Sequence, residues 1–286
     1  MKKIHFLFWL TIFLFGVLSG YSQKMSFSIS TGFGLPLNQE SYRWHPKNED
    51  VLFNKIRTNS SNSWERVNFS LGKGFQLGGS LGYSINEKLG IELGVFYLSS
   101  SKVKATDVDT RDLNLIDKTE WTTHAKSVSF SPGLVLRSGG EGKIKPFVRI
   151  AGSVVIARIM DEYTTHLGTV GSPVLYHEVW QSEGGVGFGF YSALGLAYTL
   201  HEKVEIFGEL FISALSYSPK IAYMTEANQD GQDLMLSLNA FQTQIRYENS
   251  FDPAQVNNNM DSHSTRISVT YPFSSYGLKI GCSFKF

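Results

Sequence analysis

From Tyr276 to Phe286 every second side chain is apolar: Tyr276, Leu278, Ile280, Cys282, Phe284 and Phe286 share one parity, and Gly277, Lys279, Gly281, Ser283 and Lys285 the other. Side chains alternate across a strand, so this stretch predicts a β-strand with one greasy and one polar face. A tilted strand of about 9 to 11 residues is long enough to cross the hydrocarbon of a bilayer. The same parity recurs in seven earlier segments: 25–37, 66–85 (clearest from Phe75 to Ile85), 89–97, 128–136, 148–156, 186–200 and 204–212. The last strand also has a lead-in through Ile267, Val269 and Tyr271. Pro132 cannot donate to a ladder and predicts a bulge or local break in the fourth strand.

The connections alternate in length. Short turns are predicted at 86–88, 139–142 and 201–203, and long polar loops at 38–65, 100–125, 158–183 and 218–265. Both ends of the barrel segment then fall on the short-turn side. The hairpin around Glu87 and Lys88 is echoed around Glu202 and Lys203, one hairpin solution used twice. The reading is an all-β chain forming an eight-stranded, antiparallel, up-and-down transmembrane β-barrel with long extracellular loops. A soluble barrel of the lipocalin type would carry its apolar set inward and need a richly polar outer face. Here the off-phase positions are mostly Gly, Ser and Ala with isolated charges, which suits a narrow interior. Aromatic residues Tyr83, Tyr198, Phe284 and Phe286 on the turn side, with Tyr97 and Tyr276 on the loop side, are placed as interface girdles.

Residues 1–22 read as a secretory signal, with Lys2 and Lys3 ahead of the apolar run Ile4 to Leu18 and small residues before Gln23. The domain division is therefore 1–22 signal peptide and 23–286 barrel. Cleavage removes two of 26 basic residues and leaves 24 against 25 acidic ones, a balance that argues against a nucleic-acid partner. Cys282 is the sole cysteine, so disulfides contribute nothing.

With its terminal aromatic strand, the chain resembles the small bacterial outer-membrane barrels of the OmpA-like and PorT-like type common in Bacteroidota. The resemblance implies an outer-membrane location, contact with outer-membrane lipid and lipopolysaccharide, and insertion by the barrel assembly machinery. In such proteins the final strand, here Tyr276, Leu278, Ile280, Phe284 and Phe286, is the segment that the machinery reads and the strand that closes the barrel.

Eight off-phase charges are expected in the lumen: Glu92, Arg137, Lys145, Arg149, Glu205, Glu209, Lys279 and Lys285. Buried charges have to pair, and strand adjacency suggests Glu92 with Arg137 and Glu209 with Lys279. The network reads as a structural plug, with a narrow channel for small solutes as the alternative. The histidines show no metal or nucleophile spacing, and no cofactor, metal or catalytic residue is assigned. His124 with Glu120 and Ser127 is the one set that a lipid-modifying hydrolase could draw on, and the chain is read as not an enzyme. Trp44, Trp64, Trp121 and Trp180, with Tyr163, Tyr176, Tyr223, Tyr247 and Phe251, fall in or beside the loops. They either form a contact surface for an extracellular ligand or pack the loops together. The expected function is a monomer acting through its outer loops in surface contact, adhesion or envelope organisation.

Overall fold

The computed structural model describes residues 24–37, 53–112, 114–139, 142–169, 171–250 and 262–286. The predicted signal segment, Trp44 and Phe251 lie outside the described residues. Eight strands form the barrel: β1 (Met25–Pro36), β2 (Gly74–Ser84), β3 (Leu89–Ser100), β4 (Leu115–Arg137), β5 (Ile144–Thr169), β6 (Gly187–His201), β7 (Val204–Tyr217) and β8 (Ser275–Lys285). Each pairs antiparallel with the next. The circle closes where β8 pairs with β1, from Ser26 opposite Lys285 to Pro36 opposite Ser275. Closure matters because hydrocarbon offers no partner for an unpaired strand edge.

Around the outside runs an unbroken apolar band. Phe190 is 73% exposed, Ile280 65% and Leu194 61%, with Leu81, Leu93, Leu134 and Ile150 continuing the band around the wall. In water such an exterior would be an aggregation surface; in lipid it is the solvated one. The turn end is tied by short connections. In the β2–β3 turn the Asn86 side chain accepts from the backbone N–H of Lys88 and Leu89 at 2.9 and 2.8 Å, which fixes the turn locally. Pro132 breaks the ladder without a bulge: pairing between β4 and β5 skips Ser131 and Pro132 and resumes in the same register.

At the loop end the structure departs from the sequence reading. The segments expected as polar loops are largely strand. β4 and β5 continue well beyond the apolar band as one long hairpin, flanked by strands Val103–Asp109 and Ser172–Glu183. Strand Ile221–Gln229 pairs with the latter, and Gln244–Glu248 and Ser264–Ile267 extend the sheet further. A small hairpin, Phe53–Arg57 with Asn62–Arg66, joins the other edge through Val103–Asp109.

The reason the pattern misled is a phase inversion. On β4, Phe130, Leu134 and Leu136 point outward, but higher on the same strand the outward residue is Lys126 and the buried ones are Ala125 and Trp121. On β5 outward Ile150 and Ile156 give way to outward Arg158, while Ile159 and Tyr163 turn inside. The alternation is continuous and only its chemistry changes sides, as the solvent changes from lipid to water. Above the band the inward residues form a core of their own, with Phe69, Leu71, Trp121, Ile159, Tyr217 and Phe273 almost fully buried. Trp121, Trp180 and Tyr163 therefore pack the sheet and present no contact surface; Trp64, 59% exposed, remains outside.

Inside the barrel, large rings lie over glycines. A Cβ on Gly195 would stand 2.3 Å from Phe147 Cζ, and one on Gly281 2.4 Å from Phe207 Cζ. Ring and bare backbone together fill what two ordinary side chains would overfill. Gly281→Val should therefore block folding as strongly as a lipid-side charge. Ile280→Arg, one residue away but facing lipid, should cost about 2 to 4 kcal/mol near the midplane. The heat-modifiable gel shift of folded barrel, compared for the two variants, checks both expectations.

Candidate functional site

Inward positions along β7 run Glu205, Phe207, Glu209 and Phe211, a polar–aromatic ladder that arranges the lumen in layers. In the layer nearer the loops, Arg149 Nη1 donates to Glu209 Oε2 at 2.6 Å, and its Nε lies 3.4 Å from Glu92 Oε1. The Tyr191 hydroxyl donates to Glu209 Oε1 at 2.6 Å, and Lys279 Nζ donates to the Tyr191 oxygen at 3.2 Å. The Lys279 ammonium sits in a cage of rings, 4.0, 4.4 and 4.6 Å from the centroids of Phe96, Tyr191 and Phe211. Desolvated cation–π contacts contribute about 2 kcal/mol or more, and here they stand in for the water this ammonium has lost.

The layer nearer the turns centres on Glu205, which accepts from Lys285 Nζ at 2.5 Å, Thr199 Oγ1 at 3.2 Å and Arg137 Nη1 at 3.5 Å. Between the layers Phe147 and Phe207 meet edge to face, centroids 6.1 Å apart, and the Arg149 guanidinium lies 5.0 and 4.9 Å from those rings. A void bordered by Glu92, Ser131, Arg149 and Tyr191 measures about 10 Å³, room for a single water.

These pairings correct the sequence reading. Glu92 meets Arg149, and Arg137 meets Glu205. Glu92 stands opposite Gly133 on β4, four residues from Arg137, which is roughly 13 Å along a strand. Glu209 and Lys279 are register partners, yet they communicate through the Tyr191 phenol, because Glu209 is already engaged by Arg149. Lys145 is half-buried at the turn end. The inward aromatics Phe96, Phe147, Tyr191, Phe207 and Phe211 were missed; Phe147, Phe207 and Phe211 stand two residues from an inward charge, which was the available signal, whereas Phe96 is four from Glu92 and Tyr191 has no inward charge on its strand.

The residues suggested for hydrolysis do not converge. Ser127 faces inward and is buried, whereas His124 and Glu120 lie on the opposite face of β4. His124 Nδ1 is 3.9 Å from Glu162 Oε1, and Glu120 pairs with Lys118 at 2.6 Å. Among the described residues no three His, Cys, Asp or Glu side chains cluster as metal ligands.

Arg149 is the keystone of the loop-side layer. Arg149→Met would leave Glu92 and Glu209 buried without their cation, and breaking such a pair costs about 3 to 5 kcal/mol. Glu209→Gln leaves Arg149 beside Glu92 and should cost less. Urea midpoints of the refolded variants in detergent rank the two.

His124 gives the outer sheet a pH dependence. Burial holds its imidazole below the ordinary 6.5, with Lys102 and Lys126 acting in the same direction and Glu162 and Asp161 opposing. Its folded pKa is depressed, so below about pH 6.5 the unfolded state takes up the proton first, and the sheet loses stability as pH falls. Protease resistance of the outer sheet should therefore weaken between about pH 7.5 and 5.5, and less so in His124→Gln.

No protein-family model and no curated protein matches the chain. Solved structures with a similar fold include outer membrane protein OprG from Pseudomonas aeruginosa (12% identity, 93% of this chain and 97% of that one, TM-score 0.42). Others are a major outer membrane protein from Thermus thermophilus (12%, 92% and 98%, TM-score 0.36) and the Neisserial surface protein A (12%, 92% and 97%, TM-score 0.34).

Proposed function

We propose that the protein is an integral outer-membrane barrel with a plugged lumen, and that the sheet beyond the bilayer carries its role in surface contact, adhesion or envelope organisation. The observation that supports this most is the filling of the interior at every level. Going outward, the path meets the Glu205 layer, the Phe147–Phe207 pair, the Arg149–Lys279 layer and an apolar core sealed by Trp121 and Tyr217. Solute passage would have to break ion pairs and then cross an apolar core, so the channel alternative has little support.

The outer sheet is also built as a folded body. Its buried core holds the strands in fixed relation, which lowers the ordering cost of binding a partner. In this reading the protein is exported by its 1–22 signal and inserted by the assembly machinery acting on the Tyr276–Phe286 strand. It works as a monomer without catalysis, cofactor or metal.

In planar bilayers the wild-type barrel should show no steady conductance. Stable channels altered by Lys279→Met would overturn the plug. Fractionation should place the protein in the sarkosyl-insoluble envelope with the outer sheet labelled on whole cells by a membrane-impermeant amine reagent, and a soluble periplasmic pool would sink the location.

A further inference from the structure

At the turn end the lumen carries more cations than it pairs. Arg137 and Lys285 end β4 and β8, and Lys145 begins β5 beside Ile144; all three stand on the inward parity of their strands. Among the described residues they share one carboxylate at this level, that of Glu205, so three cations against one acid leave a surplus of two. Lys145 is in no ion pair among the described residues. Arg137 reaches Glu205 with one nitrogen at the long distance of 3.5 Å, which leaves most of its guanidinium fork uncommitted. The layer is recessed yet open to water, with Lys145 half-buried and the side chains of Arg137 and Lys285 25% and 30% exposed.

Parity decides the side from which an occupant comes. Leu136, Ile144 and Phe284, the chain neighbours of the three cations, are exposed on the outward face. Lipid therefore meets the other side of these strands, and the cations open toward the aqueous space beyond the turns. Positive charge continues into that space. Arg137 N–H donates to Lys88 O and Lys285 N–H to Lys203 O, each at 2.8 Å, which sets an exposed lysine beside each of these inner cations. Exposed Lys143 stands two residues before Lys145. Glu87 and Glu202, exposed in the same turns, offset part of this outer charge and none of the recessed surplus.

A single small anion would satisfy only one of these two levels. We infer that the turn-end mouth docks an acidic peptide segment, one carboxylate taken by Arg137 and Lys145 and the next ones by the exposed lysines. A guanidinium with free N–H groups matches the two oxygens of a carboxylate, and the same layer already holds one carboxylate, that of Glu205. The outer lysines add attraction at a distance and speed encounter with an acidic partner. The inference rests on the membrane reading of the barrel, which puts this mouth on the periplasmic side. It adds a partner class there and the residues that select it.

Fluorescence anisotropy of a dye-labelled oligoglutamate peptide, titrated with the folded protein in uncharged detergent, tests it. Oligoglutamate should bind at least about tenfold more tightly than oligoglutamine of the same length, and added salt should weaken it. Arg137→Gln with Lys145→Gln should remove most of that preference while the heat-modifiable shift persists, since Lys285 still holds Glu205. Lys102→Gln with Lys126→Gln, which removes as many cations from the outer sheet, should leave it unchanged. Equal binding of the two peptides, an unaffected Arg137 and Lys145 double variant, or displacement of the peptide by inorganic phosphate or phosphatidylglycerol as readily as by unlabelled oligoglutamate would overturn the inference. Peptide selectivity with the protein found outside the envelope would overturn the location alone; envelope location without selectivity would overturn the site alone.

Discussion

The structure depends on a solvent boundary crossed by continuous strands. Backbone pairing in β4 and β5 runs without change of register from the lipid band into the outer sheet, because a hydrogen-bonded ladder is required in hydrocarbon and tolerated in water. The side chains cannot stay the same across that boundary. Outward Ile156 is favourable against acyl chains and outward Arg158 against water, and the step between them is a single strand repeat. Once the outward face becomes polar, the inward face has to supply the burial that keeps the long hairpin standing. Trp121, Ile159 and Tyr217 are the result of that demand.

The lumen answers a different constraint. Eight strands leave an interior just wide enough for side chains, and it is filled here by alternating rings and ions. Phe96, Phe147, Phe207 and Phe211 lie over Gly78, Gly195, Gly281 and Gly277, which accounts for one inward glycine of β6 and both of β8. Each ion needs a partner, and every arginine finds its partner on a strand that is not its neighbour, Arg149 of β5 on β3 and β7 and Arg137 of β4 on β7. These contacts across the interior tie opposite walls together in a way that strand pairing alone does not.

How much of this could be read from the sequence follows from the same physics. The eight membrane strands, their parity and the short turns were legible, because lipid imposes a strict alternation on one face. The membership of the lumen was legible for Glu92, Arg137, Arg149, Glu205, Glu209 and Lys279, since an off-phase charge has one place to go. Their pairing was not, because strand adjacency says nothing about how far a guanidinium reaches across a barrel. The outer strands were hidden by the phase inversion: Thr, Lys and Glu on the outward parity of β4 look like a loop to a reader following apolar residues. Trp121 and Tyr163 were visible as conspicuous rings, but whether they faced a ligand or a core depended on strands not yet recognised.

The two ion layers differ in charge, and the difference tracks hydration. Around Arg149 and Lys279 stand two carboxylates, Glu92 and Glu209, so the layer balances, and its side chains are nearly inaccessible. Around Glu205 there are two cations, Arg137 and Lys285, and the surplus positive charge is carried by side chains still 25% and 30% exposed. An unbalanced charge costs several kcal/mol when buried and little when water reaches it. The balanced layer therefore belongs in the middle of the barrel and the unbalanced one at the open turn end. Reversing their order along the barrel axis would bury the surplus cation.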